Sequence, residues 1–289
     1  MKTSRSQFTT IRGLRYHVRI WGDAAAPRLF MLHGWMDVSA SFQFLVDALQ
    51  QDWCVIAPDW RGYGLSEWTP SGYWIPDYLA DLEALLLQYS PTEPVRLIGH
   101  SLGGNIVCHY AGIRSQRVSH VVSLDALGLP RTDPAEAPAK YRQWLDELRD
   151  PPQFTPYANL EAVVARLKKN NPRLTDAKAR FLAIHWAEEL PDGSARLRSD
   201  PMHKISYPIP YRLEEAMACW RAISARVLLV EATESTMRKW INEHPDEFAK
   251  RKQAFSNLQE HRVANAGHML HHDQPQELAA VIETFLAKS

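Results

Sequence analysis

Val95-Arg96-Leu97-Ile98-Gly99-His100-Ser101-Leu102-Gly103-Gly104-Asn105 is the stretch on which the fold turns. The apolar run VRLI reads as a buried strand, and Asn105 to Ala111 reads as a helix. Between them lies G-x-S-x-G. A serine between two such glycines, on a strand-to-helix turn, is the pattern of a nucleophile elbow. In a turn this tight a side chain two residues either side of the serine meets a neighbouring strand or helix. Gly99 and Gly103 have no Cβ and relieve that crowding. Ser101 is then lifted clear of the sheet at a helix N-terminus, where free N–H groups and the helix dipole favour a developing negative charge.

Outward from this turn the chain alternates between strand and helix. Phe8 to Ile20 reads as two strands joined at Arg12-Gly13, and 28–32 as a buried strand ending at His33-Gly34-Trp35-Met36-Asp37. Residues 41–50 have helical spacing, and 53–57 form the next strand, which leads into Pro58-Asp59-Trp60-Arg61-Gly62-Tyr63-Gly64. Residues 77–89 form an amphipathic helix, and 118–124 a strand ending at Asp125. From Gly128 to about Ala222 the pattern changes to scattered helices and prolines with no convincing buried strand. The stretch 210–220 reads as the last helix of that region. Strand signal returns at 226–230 and weakly at 258–263. Between the two lies a mostly helical stretch, and after them come a loop holding His268 and a helix over 275–287.

Alternating strands and helices imply a mostly parallel sheet with helices on both faces, an α/β fold. Ligands bind such sheets at the C-terminal strand ends. His33, Trp35, Ser101, Asp125, the 231–235 turn and His268 all fall at such ends.

Composition narrows the function. The length of 289 residues fits one α/β domain, with or without an insertion. Lys+Arg and Asp+Glu balance at 33 each, and no basic stripe is present, so nucleic acid is not an expected partner. Cys54, Cys108 and Cys219 have no pattern and read as reduced core residues of a cytoplasmic protein. The first residues hold no apolar signal segment, and no run reaches the ~18–20 apolar residues of a membrane span. The expected partner is a small-molecule substrate; the oligomeric state is open.

HGW (33–35), PDWRGYGLS (58–66), GHSLGG (99–104) and AGHMLHHDQP (266–275) stand in an order that resembles the α/β-hydrolase superfamily over residues 8–128 and 223–289. HGWMD with the elbow is also similar to the animal serine-hydrolase-like proteins. The resemblance implies a hydrolase core of residues 1–128 and 223–289, with a helical cap over 129–222 inserted between two strands. It further implies Ser101 as nucleophile, His268 as its base, and the Trp35 and Leu102 amides as the oxyanion hole. No cofactor and no metal are expected. His271, His272 and Asp273 read as surface residues rather than ligands. Asp59 reads as a structural carboxylate tied to Arg61. His33, Trp60, Trp144 and Trp186 are the candidates for the substrate pocket, and the cap aromatics suit an apolar substrate or serve to join cap to core.

The chain departs from the family's commonest pattern at the triad acid. The slot a few residues past the strand that follows the cap holds Ser235, which cannot stabilise an imidazolium by charge. Asp125, 24 residues past the nucleophile, is the preferred replacement, with Glu234 and Glu231 as alternatives. The expected reaction is hydrolysis of an ester, thioester, lactone or related acyl bond through an acyl-enzyme. The same Ser–His pair also suits carbon–carbon bond hydrolysis or a perhydrolase reaction, and the unusual acid leaves room for a non-catalytic ligand-binding protein on this fold.

Overall fold

The computed structural model describes residues 1–70, 72–241 and 244–287. The core strands come first: β1 (Ser4–Ile11), β2 (Leu14–Trp21), β3 (Arg28–Leu32), β4 (Cys54–Pro58), β5 (Val95–His100) and β6 (Val118–Leu124). A short hairpin, β7 (Ala187–Glu189) and β8 (Ala195–Leu197), lies in the inserted region. The last two strands are β9 (Arg226–Ala232) and β10 (Leu258–Val263). Eight of these form one sheet in the order β1-β2-β4-β3-β5-β6-β9-β10. The pairs β1–β2 and β2–β4 are antiparallel; every later pair is parallel. The β1–β2 hairpin closes at Arg12-Gly13, both with positive φ (48° and 86°), the twist that a two-residue hairpin turn needs.

Helices cover both faces. In chain order they are α1 (Gln43–Ala48), α2 (Ile75–Tyr89), α3 (Leu102–Ile113), α4 (Ala137–Arg149), α5 (Leu160–Asn170), α6 (Asp176–Trp186), α7 (Leu213–Arg221), α8 (Met237–Ile241), α9 (Pro245–Gln253), α10 (Leu270–Asp273) and α11 (Pro275–Leu286). On one face Leu82 and Leu85 of α2, Ile106 and Val107 of α3, and Trp220 of α7 pack on Leu97, Val121 and Leu229. On the other, Leu45 of α1 and Leu278 and Ile282 of α11 pack on Met31, Ile98 and Val230. The central strands are buried on both sides, which is why they spell nearly unbroken apolar runs.

The inserted region builds a small core of its own. Val163, Val164 and Leu167 of α5 meet Ala179, Leu182 and Ala183 of α6, and Phe44 of α1 joins them from below. The hairpin β7–β8 was not foreseen; with three residues per strand its apolar signal is too short to read. Helix α7 also differs from its expected place in the cap. It lies on α3, and Leu213, Ala216 and Trp220 are in the main core, with the Trp220 ring stacked on Phe255. A Cβ on Gly112 of α3 would come within 2.0 Å of the Cys219 carbonyl oxygen, so the two helices touch backbone to backbone.

Candidate active site

The elbow has the strained geometry its spelling implies. Ser101 has φ 52° and ψ −113°, a conformation that costs a non-glycine residue energy and persists only where its surroundings impose it. They do so here: the Ser101 N–H donates to the Leu124 carbonyl at 3.0 Å, and its carbonyl accepts from Asn105 at 3.0 Å. A Cβ on Gly99 would lie 2.2 Å from the Gly103 carbonyl oxygen, and one on Gly103 would lie 2.1 Å from that of Leu32. Leu102 opens α3, so its N–H is one of those that the helix itself leaves unpaired. Gly34 runs against the elbow, where a Cβ would come 3.2 Å from the Ser101 Cβ. Trp35 follows directly. Its indole is half exposed and donates to the His203 carbonyl at 3.2 Å.

Three strand ends bring the remaining groups together. His268 Nδ1 lies 2.7 Å from Asp125 Oδ2, with the Asp125 side chain fully buried and the His268 ring partly open to solvent. A carboxylate oxygen accepts, so Nδ1 carries the proton and Nε2 keeps its lone pair. Asp125 itself has φ 49°, and its N–H donates to Val230 at 2.8 Å, which locks it at the end of β6. Its Oδ1 accepts from the Ala232 amide at 3.3 Å, and its Oδ2 accepts from the Ser235 hydroxyl. His268 is held from behind: its carbonyl meets His100 Nε2 at 2.8 Å, and the two rings lie 4.7 Å apart. His100 immediately precedes Ser101, so the imidazole and the hydroxyl sit on adjoining turns. Among the described residues neither the Ser101 hydroxyl nor His268 Nε2 makes a hydrogen bond.

The rival acids are elsewhere. Glu231 is paired with Arg238 and Lys252, each at 2.8 Å, and Glu234 with Arg173. Neither touches His268. Asp59 is structural, as expected, but its partner is His17 Nδ1 at 2.7 Å rather than Arg61, which pairs with Asp81 at 2.6 Å. Asp59 also accepts from the Ser39 and Leu65 amides. Burial alone would raise its pKa, but the His17 hydrogen bond and charge, with His33 and Ser39, hold it well below the usual range.

A cavity of about 370 Å³ opens between the inserted region and the main sheet's loops. Its walls include Trp35, Asp37, Val38 and Tyr63 from the loops of the main sheet, and Phe154, Tyr157, Leu167 and Trp186 from the inserted region, with Arg166, Arg198 and Lys204 among them. Trp186 is one of these walls. His33 and Trp60 are not: both are wholly buried. The Trp60 amide donates to His33 Nε2 at 2.8 Å, and its indole to the His33 carbonyl at 3.1 Å. They clamp two strand ends beneath the site. Trp144, on α4, is not among the cavity walls either.

The expectation for residues 271–273 also needs correction. His271 and His272 are buried, and both Nε2 atoms face the Ser41 hydroxyl, at 3.2 and 2.5 Å. Asp273 accepts from the Gly267 amide at 2.9 Å and from Asn171 at 2.7 Å, so it pins the His268 loop to the inserted region. The short α10 turns both imidazoles inward against Phe42 and Phe44, a packing that the polar spelling conceals. Asp37 joins this group, with its Oδ2 3.9 Å from His271 Nε2. Burial pushes the Asp37 carboxyl up to about 7. Burial, together with the neighbouring imidazoles, keeps His100 and His271 well below the ordinary histidine value.

A family profile described as alpha/beta hydrolase fold matches residues 27–275. The chain belongs to that family. It is 28% identical over 282 residues to the serine hydrolase-like protein of Danio rerio, covering 93% of this chain and 84% of that one. It is 27% identical to a 3-hydroxybutyrate-oligomer hydrolase of Cupriavidus necator, covering 94% and 92%. Among solved structures, the thioesterase domain from the curacin biosynthetic pathway superposes with a TM-score of 0.85 at 21% identity, covering 97% of this chain and 99% of that one. The family supports a hydrolase role. No helix among the described residues is long and apolar enough to cross a membrane.

Proposed function

We propose that the protein is a cofactor-independent serine hydrolase that cleaves an ester, thioester or lactone of a small, largely apolar acyl compound. The observation that carries this reading is the 2.7 Å contact between His268 Nδ1 and the buried Asp125 carboxylate, with the His268 carbonyl held by His100, the residue next to the strained Ser101. Asp125 fixes the tautomer that leaves His268 Nε2 as the base. The base takes the Ser101 proton as Oγ bonds to the acyl carbon, and the carbonyl electron pair moves onto oxygen. The Leu102 and Trp35 amides receive that oxyanion. His268 passes the proton to the leaving oxygen or sulfur as that bond breaks, which gives an acyl-enzyme. Water, deprotonated by His268, then attacks the acyl carbon; the free acid leaves and Ser101 regains its proton. Elbow strain lifts the hydroxyl out of the sheet, so the nucleophile is positioned before substrate arrives.

The cavity reaches Trp35 but neither Ser101 nor His268 is among its walls; its mostly aromatic and aliphatic lining suits an apolar acyl group that extends past Trp35. The relative acting on 3-hydroxybutyrate oligomers is in keeping with short-chain oxygen esters. A panel of p-nitrophenyl esters, thioesters and lactones, run on the native chain and on Ser101→Ala, tests the reading. Turnover that disappears in the variant supports it; no turnover by the native chain on any of them, or equal turnover by both, rejects it.

A further inference from the structure

We propose that Asp37, His100 and His271 bind one divalent transition-metal ion of the zinc class, in a pocket behind the Ser101–His268 pair. One ligand atom from each residue lies within 4.8 Å of the other two, and all three side chains are buried. Two of the three facing atoms are short of partners, while the third, His271 Nε2, also meets the Ser41 hydroxyl at 3.2 Å. Asp37 Oδ1 accepts from the Val38 amide, but Oδ2 makes no hydrogen bond, and neither does His100 Nδ1. His100 spends its other nitrogen on the His268 carbonyl, so Nδ1 is the one left to donate. Buried polar atoms are ordinarily paired, and a carboxylate oxygen converging with two imidazoles is left uncompensated without a cation or a water among them.

The donor set supports the cation. Two imidazoles and one carboxylate suit zinc and its neighbours in the first transition row, and three protein ligands leave a coordination position open. Asp37 also borders the cavity above the site. Space is provided by Gly34, where a Cβ would come within 2.9 Å of His100 Nδ1. The three ligands come from the turn after β3, which holds Trp35, from the end of β5, next to Ser101, and from α10, which follows His268 by two residues. A bound ion ties these segments together whether or not Ser101 is a nucleophile.

Cobalt(II) titration of the full chain, stripped with chelator, tests the site. One equivalent should bind with visible d–d bands, and zinc should displace it. Asp37→Asn and His271→Gln should each weaken binding by more than about tenfold. Ser101→Ala should bind as the native chain does, and so should His261→Gln, which removes a histidine–carboxylate pair elsewhere. In case the buried variants do not fold, anomalous scattering from zinc-soaked crystals of the native chain gives a second reading, with a peak expected among the three side chains. No stoichiometric cobalt band, a band unchanged in both ligand variants or lost in His261→Gln, or an anomalous peak elsewhere with only water at this place, overturns the proposal.

Discussion

Ser235 donates its hydroxyl proton to Asp125, on the same oxygen that faces His268. Ser235, in the slot where the family resemblance would place the acid, thus supports the carboxylate proposed for that role on the neighbouring strand. Removing that support should weaken catalysis without abolishing it. Ser235→Ala is expected to lower kcat roughly two- to tenfold, the equivalent of about 0.5–1.5 kcal/mol for one hydrogen bond. Asp125→Asn should lower kcat by about 10³–10⁴ with little change in Tm, because the amide favours the wrong imidazole tautomer. Glu234→Gln should leave kcat unchanged. Steady-state rates on one ester across the four proteins decide the assignment, and a large loss in Glu234→Gln with none in Asp125→Asn would reverse it.

The elbow glycines are a packing requirement. Gly103→Ala drives a methyl to 2.1 Å from a backbone oxygen of β3, where nothing flexible can yield. Overpacking of this kind costs roughly 1–3 kcal/mol or more, so the variant should melt well below the native chain or fail to fold. Gly193→Ala, at φ 83° with open space around it, bears only the backbone penalty of about 1–2 kcal/mol. Thermal melts of the pair should rank in that order.

The cavity is apolar but carries cations. Arg198 is tied to the Ala187 carbonyl and Glu188, whereas Arg166 makes no ion pair among the described residues and Lys204 sits over the Phe154 ring. An ester with a carboxylate at the far end of its acyl chain should therefore be favoured over its neutral analogue. Arg166→Ala and Lys204→Ala should each raise KM for the charged ester roughly two- to fivefold, in line with the small worth of exposed ion pairs, and leave the neutral one alone. Equal KM changes for both esters would assign these residues to cap packing.

Acid should destabilise the fold before it exhausts the carboxylates. Burial lowers His33 to about 4, partly opposed by Asp59 and the Gly34 carbonyl, and it lowers His203 to about 3. Below the ordinary histidine value of about 6.5 the unfolded chain takes up protons that these two side chains refuse in the fold. Their contribution is thus complete above about pH 6.5 and is lost as pH falls towards 4 and then 3. The slope is at most about 1.4 kcal/mol per pH unit for each group. Urea unfolding between pH 7 and pH 4 should show falling stability; a flat profile would contradict the burial of both rings.

The sequence read alone located nearly every strand of the sheet, because strands buried on both faces leave unbroken apolar runs such as Arg28–Leu32 and Val118–Leu124. It placed Ser101, Asp125 and His268 on one edge of the sheet because Ser101 and Asp125 directly follow strands and His268 lies in the loop after the last one. What it missed was partnership. Nothing in the spelling of Asp59 says that His17, 42 residues earlier, faces it across the sheet. The neighbours His271 and His272 look polar in one dimension, and only the turn of α10 shows that both rings point inward. His33 and Trp60 look like pocket residues because they stand at strand ends, yet they bond to each other beneath the surface. Helix α7 has the composition of a cap helix, and only its contact with α3 assigns it to the core.

The most direct measurement is covalent. Intact-mass analysis after treatment with a fluorophosphonate should show one adduct per chain, mapped by peptide digestion to Ser101. It should be absent in Ser101→Ala and strongly slowed in His268→Ala. A folded native chain that takes up no adduct, or takes it up at another residue, would contradict the account.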